Sequence, residues 1–229
     1  MNVKMKTLNL FSGIGGNRKL WDNVEVTAVE IDPKIAGIYQ DLFPDDTVIV
    51  GDAHQYLLDH YSEFDFIWSS PPCPTHSHLN HILHSQGIIR YPDMMLYQEI
   101  IFLQTFFKGI YCVENVRSYY DPLIKPFYRG RHYLWSNFYI TEFKKEKVGF
   151  DTLNLGVDTK DMPFISGKET YRLLLEYLGF DSKLKVPIKL LQNCVYPPLG
   201  KHILNCANGN TQKTLETSIN KQTKRMESV

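Results

Sequence analysis

The sequence has no surplus of charge of either sign, with Lys plus Arg and Asp plus Glu both numbering 25. That balance excludes nucleic-acid recognition through a global positive field and leaves local patches as the route to such a partner. Cysteine is scarce, and the four residues Cys73, Cys112, Cys194 and Cys206 have neither the paired spacing of a zinc site nor the density of a disulfide scaffold. A reducing cytoplasm and no metal are therefore expected. No apolar run approaches the length that spans a bilayer, and residues 1–10 run into a strand pattern rather than a signal peptide's core, so a soluble protein with no membrane partner is expected. Internal repeats are absent as well. What is present, 43% hydrophobic and 22% charged residues in a chain of 229, suits one domain with a substantial core.

The pattern along the chain alternates. Residues 7–11 form an apolar run that stops at Ser12-Gly13-Ile14-Gly15-Gly16, residues 24–31 a second strand with acids at its end, and residues 47–50 a third that stops at Gly51-Asp52. Residues 34–43 carry helical spacing between them. Further on, residues 65–69 are a short strand ending at Pro71-Pro72, and residues 94–107 are a helix leading into the strand 110–113. A helix over 168–178 is expected, then a short apolar turn after Pro197-Pro198. Strands alternating with helices predict an α/β fold, a mostly parallel doubly wound sheet whose ligands sit outside the carboxyl ends of the strands.

The residues at those ends carry chemistry. A glycine turn after the first strand lets backbone N–H groups approach a ligand, so residues 11–16 are placed to cradle a nucleotide-like cofactor. Alone the turn is weak, because it lacks the three spaced glycines of the dinucleotide pattern. Glu30, ending strand two, is positioned for a ribose diol, and Asp52, ending strand three, for an adenine amino group. Taken separately, each acid is more often a loop cap than a ligand.

Ser69-Ser70-Pro71-Pro72-Cys73 sets a thiol just after a strand, stiffened by two prolines as suits a nucleophile. An isolated cysteine is ordinarily a small buried hydrophobe, and the polar Thr75-His76-Ser77 beside it argue against that here. Val113-Glu114-Asn115-Val116 brings out an acid where a strand ends, and desolvation there would let Glu114 hold a proton for a ring nitrogen. Arg129-Gly130-Arg131 offers two fixed positive charges to a phosphate or carbonyl oxygen.

In the order FSGIGG, VEID, GDA, PPC and VENV, these motifs resemble those of the cytosine-5 DNA methyltransferases, here as a compact member with a shortened target-recognition region. The resemblance implies a Rossmann-like fold that binds S-adenosyl-L-methionine and releases S-adenosyl-L-homocysteine. Phe11, Ser12, Gly13, Ile14, Gly15 and Gly16 fall on its glycine motif, Glu30 with Ile31 on the ribose-binding acid, and Asp52 with Ala53 on the adenine contact. Pro72 and Cys73 match its nucleophile motif and Glu114 its ring-nitrogen acid, with Arg131 or Arg129 holding the ring carbonyl. Near the C-terminus, Leu178-Gly179-Phe180 and then Asn193, Cys194 and Val195, leading into Tyr196-Pro197-Pro198, look like the motif that returns to complete the cofactor pocket. The resemblance runs from Leu8 to about Ile203, so residues 1–207 are expected to be a catalytic domain and 208–229 a polar tail.

Chemistry ties these residues together. Carbon 5 of cytosine is too weak a nucleophile to attack a sulfonium methyl until a thiolate adds to carbon 6, and a duplex hides both ring faces until the base is flipped out. Double-stranded DNA is the expected partner, contacted by Ser77, His78, Arg90, Arg117 and Arg129, with the loop over 77–93 and its neighbour His76 as a main contact. Its histidines, His81 and His84 included, read as solvated loop residues rather than metal ligands. Several departures from the family pattern stand out: Pro74 replaces the glutamine after the nucleophile, about fifteen residues separate Glu114 from the arginines, and residues 141–165 are too short for the usual target-recognition domain. Recognition is then reduced, or supplied by a homodimer or a partner subunit. A bacterial cell or phage-infected host, within a restriction-modification setting, is the expected context. Methylation of cytosine in transfer RNA and a non-catalytic accessory subunit are the alternatives, whereas amino-group methylation would need an Asn or Asp before the prolines, where Ser70 stands.

Overall fold

The computed structural model of the chain describes residues 3–129, 132–143 and 167–209. Seven strands form one sheet: β1 Met5–Leu10, β2 Val24–Glu30, β3 Thr47–Val50, β4 Phe66–Ser69, β5 Ile110–Val116, β6 Phe127–Arg129 and β7 His132–Ser136. The helices are α1 Pro33–Leu42, α2 Ala53–His60, α3 Asn80–Ser85, α4 Met95–Phe106, α5 Gly167–Leu178, α6 Ile188–Gln192 and α7 Pro197–Ala207. Strand order is β3-β2-β1-β4-β5-β7-β6. The first five strands in that order are parallel, while β7 runs antiparallel to both β5 and β6. This is the expected α/β, Rossmann-like sheet, and its order reverses between β1 and β4, which opens the crevice where such sheets bind ligands.

Alternation along each strand assigns side chains to opposite layers. Val29, Ile67, Val113 and Trp135 pack with Leu57 of α2 and Ile100 and Leu103 of α4. Val26, Phe66, Trp68, Cys112 and Leu134, of the opposite parity, pack with Leu199, Ile203 and Leu204 of α7. A third cluster joins Ile14 of the glycine turn to Leu174, Leu175 and Leu178 of α5 and Leu191 of α6. Because both faces are covered, the central strands are largely apolar, as a buried parallel sheet requires, with Thr7 and Asn9 of β1, Ser69 of β4 and Glu114 and Asn115 of β5 as buried polar exceptions.

One sequence expectation changes. The apolar turn expected after Pro197 is instead the eleven-residue helix α7. Prolines in a helix's first turn lose no intrahelical hydrogen bond, so this pair starts the helix, and its apolar face closes the second layer. The ten residues from Arg117 to Pro126 contain no helix, and β6 and β7 follow as an antiparallel hairpin. Arg131, residues 144–165 of the expected recognition insert and residues 210–229 of the expected tail lie outside the described residues.

Candidate active site

At the cofactor end the chain turns sharply after β1. Phe11, with φ of 53°, and Gly13 and Gly15, with φ of 53° and 78°, adopt the left-handed region. A non-glycine residue there costs on the order of 1–3 kcal/mol, and such strain gathers at functional turns. The turn is fixed by a carboxylate: Glu30 Oε2 accepts from Gly13 N at 2.9 Å and Oε1 from Asp32 N at 3.0 Å. Glu30 is thus buried and aimed by backbone donors, with remaining lone pairs for a ligand. Ile31 beside it is 68% exposed, an apolar surface at the crevice edge. Asp52 is the N-cap of α2, its Oδ1 accepting from Gln55 N at 3.0 Å, so the cap reading of this acid holds whatever else it binds.

Close packing seals the turn from behind. A methyl group on Gly15 would stand 2.3 Å from Phe43, and one on Gly16 2.8 Å from both Cys194 Cβ and the Val195 carbonyl. On α7, Gly200 lies so near Asn17 that a side chain would meet its carbonyl at 2.3 Å, while the Gly200 carbonyl accepts from Trp21 Nε1 at 3.1 Å. The C-terminal motif therefore touches the glycine turn directly. Ser12 Oγ is buried and has no hydrogen-bond partner among the described residues. A buried hydroxyl without a partner in a loop of free backbone geometry suits a polar ligand.

The chemical end is built from two strand ends laced together. Asn115 Nδ2 donates to the Pro71 carbonyl at 3.0 Å, tying the end of β5 to the turn that carries Cys73. Beyond it, His78 N donates to the Arg117 carbonyl at 2.9 Å and Tyr119 N to the His76 carbonyl at 3.1 Å, with a bridge between Ser77 and Ser118. His76 N and Ser77 N both donate to the Cys73 carbonyl at 3.0 Å, and Asn80 Nδ2 donates to that of Pro74 at 2.9 Å. The Cys73 turn is thereby braced on three sides.

The four cysteines divide sharply. Cys112, Cys194 and Cys206 are buried and Cys73 alone is partly exposed, with no disulfide among them. Burial, with Glu114 and Cys206 adding to it, pushes the Cys112 thiol well up, and burial pushes Cys194 up to about 12. Both stay protonated and inert, which leaves Cys73 as the one partly exposed thiol.

Glu114 is buried at 6% exposure and pairs with His132, Oε1 to Nδ1 at 2.5 Å. Nothing in the sequence motifs pointed to His132. Two further polar groups also went unread. Glu99 of α4, 1% exposed inside an apolar layer, accepts from Ser69 Oγ at 2.7 Å and meets His54 Nδ1 at 3.3 Å. That hydrogen bond raises the His54 pKa. The network links the strand that leads to Cys73 with the helix that Asp52 caps. A mid-helix acid among apolar neighbours was the available signal.

Other expected site residues sort by exposure. Pro72, Asn193, Arg117, His78, His81 and Arg90 are exposed, and Ser77 is half-buried. Ile14, Ala53, Cys194 and Val195 are buried, so they would meet a ligand through backbone or through the wall behind it. Within the expected loop, His76 is corrected: it is 1% exposed, its Nδ1 lies 2.7 Å from Tyr120 Oη, and burial lowers its pKa. It braces the loop from within. His84 is half-buried against Tyr119 rather than solvated. Arg129 is corrected too, because its Nε donates to the Thr141 carbonyl at 3.0 Å, Nη2 to that of Ile140, and Nη1 approaches Glu142 at 3.4 Å. With its donors committed to the Tyr128 carbonyl and to residues 140–142, Arg129 fastens the hairpin edge. Among the described residues no group of three or more His, Cys, Asp or Glu could hold a metal ion, and no helix is long and apolar enough to cross a membrane.

A family model of the C-5 cytosine-specific DNA methylases matches residues 5–122, just over half of the chain. The chain belongs to that family. The matched span holds the glycine turn, Glu30, Asp52, Cys73 and Glu114, so the methylase motifs and the crevice coincide. No curated protein matches the chain. Solved structures similar to it include an Entamoeba histolytica methyltransferase, at 19% identity over 49% of this chain and 38% of that one, TM-score 0.34. A SAM-dependent methyltransferase of Agrobacterium tumefaciens overlaps at 18% identity over 51% and 40%, TM-score 0.35. A protein described as a DNA modification methyltransferase encoded within a prophage, from E. coli, does so at 22% identity over 50% and 33%, TM-score 0.33. The chain thus spans less than half the length of each of these proteins.

Proposed function

We propose that this methylase-family chain transfers a methyl group from S-adenosylmethionine to carbon 5 of cytosine in DNA, through a covalent bond between Cys73 and the ring. The observation that carries the reading is the Asn115 to Pro71 hydrogen bond. It ties the turn bearing the one accessible thiol to the strand end bearing a buried carboxyl, beside a crevice with a carboxylate held for a ribose.

The residues present fit the cofactor. Glu30 would accept from the ribose hydroxyls, Ile31 would cover one face of the adenine, and the N–H groups and Ser12 hydroxyl of the glycine turn would meet the amino-acid end. When bound, S-adenosylmethionine supplies an electrophilic methyl group. On the protein side, Cys73, its thiol proton first lost to solvent, bonds as the thiolate to carbon 6 of the flipped cytosine while Glu114 gives a proton to ring nitrogen 3, so that the ring's electrons reach carbon 5. Arg131 is the candidate for the ring carbonyl, since Arg129 is committed elsewhere. After methylation, the carbon-5 proton leaves to solvent or a base and the Cys73 sulfur is expelled.

DNA is the favoured substrate because the matching family is that of the DNA methylases, and the segment over 77–93 is the surface offered to it. It exposes Ile82, Ile88 and Ile89, the last at 69%, next to the exposed His78, His81 and Arg90. Clustered exposed apolar side chains among polar and basic ones mark a surface that meets another macromolecule. The test uses labelled S-adenosylmethionine with a duplex containing 5-fluorocytosine. A covalent protein–DNA species that forms with wild type and not with Cys73→Ala is expected. Label transferred to transfer RNA and not to DNA would move the substrate to RNA, and cofactor binding without transfer to either would leave an accessory subunit.

A further inference from the structure

We infer that His132 is a positioning residue for Glu114, holding one carboxyl oxygen so that the other is presented to the pyrimidine and stabilising the carboxylate once its proton has gone. This deepens the proposed function and rests on it.

The pairing comes from strand register. In the antiparallel β5–β7 ladder Glu114 lies opposite Leu134 and Val116 opposite His132. Glu114 and His132 are therefore diagonal neighbours on one face, within reach of long side chains. That face is otherwise apolar where it is deepest, with Cys112, Leu134 and Phe127 packed under α7. A buried imidazole at 7% exposure beside a buried carboxyl at 6% is costly to keep unless the two groups bind each other. Nδ1 of His132 and Oε1 of Glu114 stand at hydrogen-bond distance from each other, so the ring can serve as donor to that oxygen.

The contact is selective for one oxygen. Oε1 is held by Nδ1, while no described residue bonds Oε2. Among the described residues Arg129, its register partner on β6, does not compete, because its guanidinium is turned to the Tyr128 carbonyl and residues 140–142. In the proposed reaction Glu114 Oε2 releases its proton to ring nitrogen 3 as the Cys73 sulfur bonds to carbon 6. The new carboxylate then accepts from Nδ1–H, and the proton returns from nitrogen 3 to Glu114 when the sulfur departs. His132 thus gains its strongest contact when negative charge develops, the condition under which a hydrogen bond accelerates a step.

The experiment compares wild type with His132→Asn, which keeps an amide N–H near the Nδ1 position, and His132→Leu, which keeps volume alone. A duplex tritiated at cytosine carbon 5 is incubated with protein and S-adenosylhomocysteine. Release of tritium then reports attack at carbon 6 and protonation at nitrogen 3 without methyl transfer. Calorimetric binding of S-adenosylmethionine checks that each variant is folded. We expect His132→Leu to slow tritium release and single-turnover methylation together by about 100-fold, the usual scale for losing a group that aids proton transfer, with cofactor affinity unchanged. His132→Asn should recover at least about tenfold of that loss, as a hydrogen-bond donor and not merely a filler would. Leu release within about twofold of wild type, or equal loss in Asn and Leu, overturns the inference while wild-type adduct formation leaves the proposed function standing. A wild type that neither exchanges nor methylates removes both.

Discussion

The two ends of the crevice are held by different physics. At the cofactor end backbone approaches backbone: Gly16 lies against Cys194 and Val195, Gly200 against Asn17, and Glu30 is gripped by two N–H groups. At the chemical end the Cys73 turn hangs on hydrogen bonds from Asn115 and Asn80 and opens into an exposed segment. The contrast teaches which part must be rigid: a small cofactor is met by a preformed wall, whereas a flipped base on a long polymer needs a surface left uncovered. Damage at the first end should therefore appear as lost stability, and damage at the second as lost activity.

The largest expected effect breaks the comparison if it fails. Cys73→Ala should reduce methyl transfer by about four orders of magnitude or more while the melting temperature stays near that of wild type, because a half-buried thiol contributes little packing. Next, Gly16→Ala should cost about 1–3 kcal/mol in urea denaturation, since its methyl group meets the Val195 carbonyl and the Cys194 Cβ, neither of them the far end of a flexible side chain. Unchanged stability there would mean that the wall yields. Asp52→Ala should cost about 1 kcal/mol as a lost helix cap. A separate weakening of S-adenosylmethionine binding, read by calorimetry, would give Asp52 a second duty.

The smallest effects are opposed pH slopes. Glu99 raises the His54 pKa, so its contribution is full below the ordinary histidine range and is lost as pH rises above it. Burial lowers the His76 pKa, so its neutral form favours the folded state above the ordinary range and that contribution is lost as pH falls. Melting temperature followed across that range should fall less steeply toward alkaline pH in His54→Asn and less steeply toward acid in His76→Asn. Identical profiles in both variants would refute the assignment.

Much of this was legible in the chain because parallel strands announce themselves. Apolar runs that stop at Gly13, Glu30, Asp52 and Pro71 mark carboxyl ends, and the order of those stops carried the methylase motifs before any geometry was known. What escaped depends on register and distant packing. The β6–β7 hairpin is short and holds Tyr128, Arg129 and His132, which give no apolar alternation. His132 meets Glu114 only because the ladder sets them diagonally, and Arg129 is spent on carbonyls near residue 140 that nothing local identifies. The helix α7 was hidden by its own prolines, whose meaning depends on whether they open a helix or interrupt one.

The contact of Gly200 with Asn17 and Trp21 has an effect in time. During synthesis the glycine turn emerges from the ribosome early, yet the surface it leans on is made roughly 180 residues later. Until that stretch has left the ribosome the turn rests only on Phe43 and Glu30, and the wall behind it at Asn17 and Trp21 is completed last.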